Sequence, residues 1–246
     1  MSVFLLFSCR NNEDDIYVSY GVIQNVVSKD NYEILTDKGN TLVVTKSYTS
    51  ATIEDGKRIL ANYEILSDKD KSKKVYEVKV NGFYQLLSKP LVKESFILEN
   101  EEARRDSIGN DPFCYIDAWF GGDYLNIDFK LYYSRNSDKK HMINLIYDDT
   151  RSTADTLYLT LRHNAYDEIP GSGTSLFADW GRCSFRIVDL LPEGVTSKPL
   201  KLMWRQYGPS YNEVTDCFDT GVFKKGDNKI EKKLARAEFD NIIEVK

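Results

Sequence analysis

An all-β fold, with a small OB-like barrel followed by an antiparallel β-sandwich, is the class this sequence predicts, and three observations predict it. Alternating apolar and polar residues recur along most of the chain, no long segment keeps a helical period, and clusters of Gly, Asp, Asn, Ser and Pro punctuate the alternating runs. The composition agrees. Of 246 residues, 41% are hydrophobic and 13% aromatic, with 16 Tyr and 12 Phe, which supplies β-favouring bulk for a core and argues against disorder.

In chain order, Ile16, Val18, Tyr20 and Val22 open the first strand, Gly21 offers a bulge, and Val26 and Val27 carry the strand past a bend. Residues 32–36 follow. Asp37-Lys38-Gly39-Asn40 then turns tightly into the β-branched run 41–45, so 30–46 reads as a hairpin region. Residues 58–66 make a fourth strand. After a charged loop at 67–74, Tyr76, Val78 and Val80 alternate with Glu77, Lys79 and Asn81 in a fifth strand over 75–84. Five strands in this order fit a Greek-key barrel of the OB type, placed at 16–90.

Residues 91–112 read as a charged linker in which 99–105 could form a short helix before Gly109 breaks it. The sandwich domain is placed at 113–246. It opens with a strand at 113–120 and a turn at Gly121-Gly122-Asp123. In the next strand Leu125, Ile127, Phe129, Leu131 and Tyr133 line one face, and Asn126, Asp128 and Lys130 form a wet face opposite. Further strands fall at 142–147, 156–162, 182–190 and 200–206, separated by turn clusters at 134–140, 148–154, 170–174 and 192–199, a spacing that suits a sandwich. The tail is ambiguous. Residues 229–238 have helical character, while Phe239, Ile242 and Val245 would equally suit an edge strand.

A formal net charge of -5 has the wrong sign for neutralising phosphates, which excludes nucleic acid as a partner. No run approaches the roughly 18 apolar residues a spanning helix needs, so membrane contact must come from an anchor. Val3-Phe4-Leu5-Leu6-Phe7-Ser8 runs straight into Cys9 and then into the polar Arg10, Asn11, Asn12, Glu13, Asp14 and Asp15. This is the form of a bacterial lipoprotein signal ending, with Cys9 as the acylated residue and residues 1–15 as signal remnant and acidic leader. The apolar run is short, lacks a preceding Lys or Arg, and carries a bulky Phe7.

With Cys9 acylated, Cys114, Cys183 and Cys217 remain, and an odd number cannot all pair. Cys114 keeps step with Ile116 and Ala118, and Cys183 with Phe185 and Ile187, which makes both small core residues. The two histidines extend apolar strand faces, His141 in register with Ile143 and Leu145, and His163 with Leu159 and Leu161. With Asp117 or Asp128 they could hold zinc, but neither has a second ligand at motif spacing, and hydrogen bonding at the core edge is the preferred reading. Walker, HExxH, CxxC and GxSxG motifs are missing from the sequence, so no catalytic residue and no cofactor is assigned. Tyr115, Trp119, Tyr132, Tyr133, Trp180, Trp204 and Tyr207 are either core or a surface for stacking on sugars or docking a protein.

Particular residues narrow the class. Gly109-Asn110-Asp111-Pro112, Gly121-Gly122-Asp123-Tyr124-Leu125-Asn126, His141 before Ile143-Asn144-Leu145, and Leu161-Arg162-His163-Asn164 together resemble the NigD-like family. Tyr20-Gly21-Val22-Ile23 and the Asp37-Lys38-Gly39 turn are similar to that family's N-terminal domain. The resemblance implies a Bacteroidales outer-membrane lipoprotein with an OB-type domain and a β-sandwich, and by association with a bacteriocin operon an immunity-like or accessory role. It brings no catalytic residue. The expectation is a non-enzymatic envelope lipoprotein, held at the membrane by its anchor, that binds a protein or glycan through a β surface. Two rivals make distinct demands. A glycan-processing enzyme needs two facing carboxylates beside an exposed Trp119 or Trp204, and an adhesive or structural component needs an open sheet edge.

Overall fold

The computed structural model describes residues 15–100, 102, 107–134, 139–168, 170 and 175–226. The Cys9 anchor, most of the acidic leader, the centre of the expected 99–105 helix, the glycines at 171 and 173, and the tail at 229–245 lie outside the described residues.

The first strands are β1 (Ile16–Ser28), β2 (Asn31–Thr36), β3 (Thr41–Ser47), β4 (Arg58–Asp70) and β5 (Val75–Gln85). They close into a barrel in the order β1-β2-β3-β5-β4, with β3 parallel to β5 and the other pairs antiparallel. Alternation puts Ile23, Tyr32, Ile34, Leu42, Val44, Ile59, Ala61, Val78 and Val80 inside, all but closed to solvent. The irregularity in β1 is not at Gly21, which stays in register opposite Thr36, but between Gln24 and Ser28, where Asn25 has φ 55°. Gly21 is small for another reason. The Ile34 side chain and the Leu35 carbonyl press against its Cα, leaving no room for a Cβ.

After β6 (Val92–Lys93) and α1 (Glu94–Glu99) come β7 (Tyr115–Gly121), β8 (Tyr124–Tyr133), β9 (Met142–Tyr147), β10 (Leu157–Asn164), β11 (Phe177–Arg186), β12 (Ser197–Tyr207) and β13 (Val214–Lys224). They form two sheets, β13-β12-β10-β9-β6 and β11-β8-β7. Between them lies a core of Phe113, Leu125, Ile127, Phe129, Ile143, Leu145, Leu159, Leu161, Cys183, Phe185, Leu202 and Phe223. Helix α1 precedes the span of the expected helix and packs Ile97 on Ile108 and Ile146 over the outer face of the larger sheet.

Two expectations change. β13 was not anticipated, since nearly all its residues are exposed and show no alternation. The second face of β8 is not wet along its whole length, for Asn126 is fully buried and Asp128 is 7% exposed. The barrel covers it. Chain continuity brings the two domains together here: the Leu86 N–H donates to the Arg58 carbonyl at 2.9 Å, and the Ser184 N–H in β11 donates to the Leu87 carbonyl at 2.9 Å.

Candidate functional site

Both histidines end up in one buried chain of hydrogen bonds. β9 and β10 pair antiparallel with His163 opposite Ile143, which carries His141, two residues earlier, alongside His163. His163 Nε2 lies 2.9 Å from His141 Nδ1, and His163 Nδ1 lies 3.3 Å from the Pro112 carbonyl. At the other end His141 Nε2 is 3.0 Å from Glu168 Oε2, which also accepts the Ser134 N–H. A carbonyl only accepts, so His163 donates through Nδ1 and accepts at Nε2 from His141 Nδ1–H. One shared proton then joins His141 Nε2 to Glu168. Burial above all, and His141 beside it, push His163 from 6.5 down to about 3, so it is neutral at ordinary pH. Its ring also stacks on Phe113 at 4.9 Å.

Sequence reasoning placed each histidine at a core edge but missed their meeting, which depends on the register of the β9–β10 pair. The zinc alternative finds no support, since Asp117 and Asp128 face each other on β7 and β8 in the other sheet. Asp128 is held by Arg182 through two bonds of 2.6 and 2.9 Å.

Beside the histidines opens a cleft of about 460 Å³ lined by residues that include Asn110, Asp111, Arg162, Asn164, Tyr166 and Asp167. Its walls are fixed by the backbone. The Asp111 N–H donates to the His163 carbonyl, the Asp111 carboxylate accepts the Ala165 N–H at 2.7 Å, and Gly109 leaves no space for a Cβ against His163 and Asn164. Tyr166 and Asp167 adopt φ of 50° and 72°, left-handed conformations that side-chain-bearing residues rarely take.

A second polar cluster lies at the domain junction. Arg58, 2% exposed, grips the Asp37 carboxylate at 2.5 and 2.7 Å and donates to Ser184 Oγ at 2.9 Å and Asn126 Oδ1 at 3.0 Å. Its guanidinium lies 4.1 Å from the centre of the Tyr124 ring, and Tyr20 meets Trp119 edge-on at 5.7 Å. Gly121 and Gly122 let the Asp37 turn approach, since a Cβ on Gly121 would overlap the Asp37 carboxylate and the Asn126 amide.

Trp119 and Trp204 are both partly buried, against the barrel side and the sandwich core respectively, and the exposed tryptophan is Trp180 at 44%. Cys114, Cys183 and Cys217 are all free thiols. Cys183 is buried as expected and burial raises its thiol far up, whereas Cys114 is only partly covered, its thiol pushed up to about 11 by burial.

Comparison with known proteins follows this geometry closely. The NigD-like N-terminal OB domain matches residues 20–86 and the NigD-like C-terminal beta sandwich domain matches residues 95–216. No curated protein matches. Among solved structures, a protein of unknown function from Bacteroides vulgatus aligns at 19% identity and TM-score 0.63, covering 93% of this chain and 100% of its own. A NigD-like immunity protein from Bacteroides caccae aligns at 18% and 0.60, covering 83% and 92%. A lipoprotein candidate from Bacteroides fragilis aligns at 11% and 0.58, covering 87% and 100%. At these identities the likeness is one of fold.

Proposed function

Because the chain belongs to the NigD-like family, we propose that it is a cell-envelope lipoprotein, tethered to the outer membrane through Cys9, that binds a partner through its sandwich surface without catalysing a reaction. The observation that carries binding over catalysis is the fate of the ionisable groups. His163 is sealed against Phe113, Asp128 is clamped by Arg182, Asp37 by Arg58, and Asp111 by a backbone N–H, while aromatic side chains such as Trp180 and Tyr211 stay open to solvent. Acylation of Cys9 with two or more chains would make membrane residence stable, where one chain is marginal. The lipoprotein and immunity-protein names of the structural neighbours favour the same reading.

Mass analysis of the native protein and fractionation of a Cys9→Ala variant test the anchor. A lipid-modified Cys9, and a variant released to the soluble fraction, are expected; a free thiol at Cys9 in protein that still sediments with membranes refutes it. For the immunity-like role, a deletion strain challenged with bacteriocin should change in sensitivity and recover on complementation.

A further inference from the structure

The larger sheet ends in a long, regular edge. β13 stands last in the order β13-β12-β10-β9-β6 and, among the described residues, pairs only with β12. It runs for 11 residues without a proline and keeps an unbroken register, from Val214 opposite Tyr207 to Lys224 opposite Ser197. Which of its backbone groups reach β12 is fixed at the two ends of the pair. The Gly208 N–H donates to the Glu213 carbonyl and the Lys225 N–H to the Thr196 carbonyl, so the odd-numbered residues of β13 bond to β12. The even-numbered ones, Val214, Asp216, Phe218, Thr220 and Val222, therefore turn N–H and C=O toward the open edge. Natural sheets blunt such edges with charge, proline, bulges or short strands. β13 keeps the first of these, at Asp216, Asp219 and Lys224, and Asp219 Oδ1 takes the Thr220 N–H at 2.7 Å.

The same even-numbered residues carry their side chains on the face away from the core, since Phe223 is buried and Gly221 lies against Phe120 on the other side. Val214, Phe218 and Val222 are 43%, 62% and 47% exposed, and each stands beside an apolar neighbour in β12: Tyr207, Met203 and Pro199. Polar rows separate them. Asp216 lies beside Arg205, paired at 3.6 Å, and Thr220 beside Lys201, whose ammonium is 3.9 Å from the centre of the Phe218 ring. The apolar residues are thus spaced evenly about Phe218.

We propose that β13 joins two copies of this chain edge to edge, antiparallel, with Phe218 on the two-fold axis. That register sets Phe218 opposite itself, and Val214 and Asp216 opposite Val222 and Thr220 of the second copy. All are hydrogen-bonded pairs, because even-numbered residues meet even-numbered ones. Asp216 then lies in one row with its own Arg205 and with Lys201 of the second copy, a complementary order of charge. On the inner side Cys217 meets Asp219, and the two Asp219 carboxylates end diagonal to each other and exposed. Centring the pair on Asp216 would oppose two acids, and centring it on Thr220 would leave Val214 unmatched. This symmetry favours a second copy over an unrelated strand, because every apolar side chain of the edge meets its counterpart. The Asp219–Thr220 bond must open in both copies, and a single strand pair buries less than about 1,200 Å², so the dimer is weak. The contact needs neither the anchor nor the partner proposed above.

The test uses the full chain carrying Cys9→Ala, so that neither a lipid nor a thiol at that position can join copies. Sedimentation velocity from ~2 to ~500 μM should show monomer passing to dimer with a Kd on the order of 10–100 μM. Phe218→Glu keeps a partner for Lys201 but opposes two carboxylates on the axis, and should weaken the dimer at least about tenfold at unchanged melting temperature. Phe218→Lys should do the same to the dimer, and an equimolar mixture of the two variants should dimerise again, since Glu then faces Lys. In the parent, exchange of the Asp216, Phe218 and Val222 amides should slow as concentration rises. A monomer at every concentration, a dimer that Phe218→Glu leaves intact, or a mixture that does not dimerise overturns the proposal. So does protection of these amides in the dilute monomer, which would mean that a segment of the same chain, such as 227–246, already covers the edge.

Discussion

Replacing Arg58 with methionine tests whether the two domains fold as one cooperative unit through that side chain. Methionine matches the aliphatic stem and removes the guanidinium, leaving Asp37, Ser184 and Asn126 without their common donor. Breaking a buried pair from one side costs about 3–5 kcal/mol when the other charge stays buried. The Asp37 side chain is 16% exposed, so water relieves part of the charge left behind and the lower half of that range applies. Ser184 and Asn126 keep their mutual bond of 2.7 Å, which limits their joint loss to roughly 1 kcal/mol. The sum, ~4 kcal/mol, is a large share of the roughly 5–15 kcal/mol that holds a domain folded. All three tryptophans, at 119, 180 and 204, lie in the sandwich, so urea unfolding followed by tryptophan emission reports that domain while far-ultraviolet circular dichroism reports both. The parent should give coincident transitions. The Arg58→Met variant should lose ~4 kcal/mol and split them, and Asp37→Asn in the same chain should restore part of the loss. A loss below about 1 kcal/mol with transitions still coincident would show that the junction is held by other contacts.

Other expectations follow from buried groups. His163 is neutral in the fold and protonates with its ordinary value of 6.5 once unfolded, so the unfolded chain binds the extra proton between about 6.5 and about 3. Its contribution is therefore whole above pH 6.5 and is lost as pH falls through that window, by up to ~5 kcal/mol at ~1.4 kcal/mol per pH unit. Urea midpoints at several pH values should show the slope, a His163→Gln variant should flatten it by up to one proton, and an unchanged slope would count against the assignment. Gly121→Ala forces a methyl onto Asp37 and Asn126 and should cost about 1–3 kcal/mol in thermal unfolding; a neutral result would mean the junction yields. Cys183 should react with a thiol reagent only after unfolding, whereas half-exposed Cys217 reacts in the native protein. Equal native rates would contradict the burial of Cys183.

Most strands were legible because one face of each is buried, which writes a period of two into residues such as Tyr32, Ile34 and Leu42, or Leu125, Ile127 and Phe129. Legibility failed where burial and polarity part company. Along β13 one side faces solvent and the inward side carries Asp219 and Gly221, so its alternation vanishes. β8 erred the other way. Asn126 and Asp128 read as wet because they are polar, yet the barrel covers them, with Arg58 donating to the Asn126 Oδ1 and Arg182 holding Asp128. The meeting of His141 and His163 needed the β9–β10 register, and the role of Arg58 needed the docking of two domains, neither of which local periodicity encodes.

The residues that carry the family resemblance converge on closed places. Asp37, Gly121, Gly122, Tyr124 and Asn126 surround Arg58, while Gly109, Asp111, Pro112, His141, His163 and Asn164 build the histidine chain and the wall beside it. Steric and hydrogen-bonding demands there are severe: a missing Cβ at two positions, a bidentate ion pair, a neutral buried imidazole. Such residues set how the domains sit and how β10 ends, and Gly109, Asp111 and Asn164 also line the cleft beside the histidines. Trp180 and Tyr211 are 44% and 43% exposed. If that division is right, changes at Arg58 or His163 should alter unfolding while any binding persists in the surviving fold, and changes at Trp180 or Tyr211 should alter binding at constant stability. An Arg58→Met protein that unfolds normally but no longer binds, or a Trp180→Ala protein that binds fully but melts early, would reverse the assignment of roles.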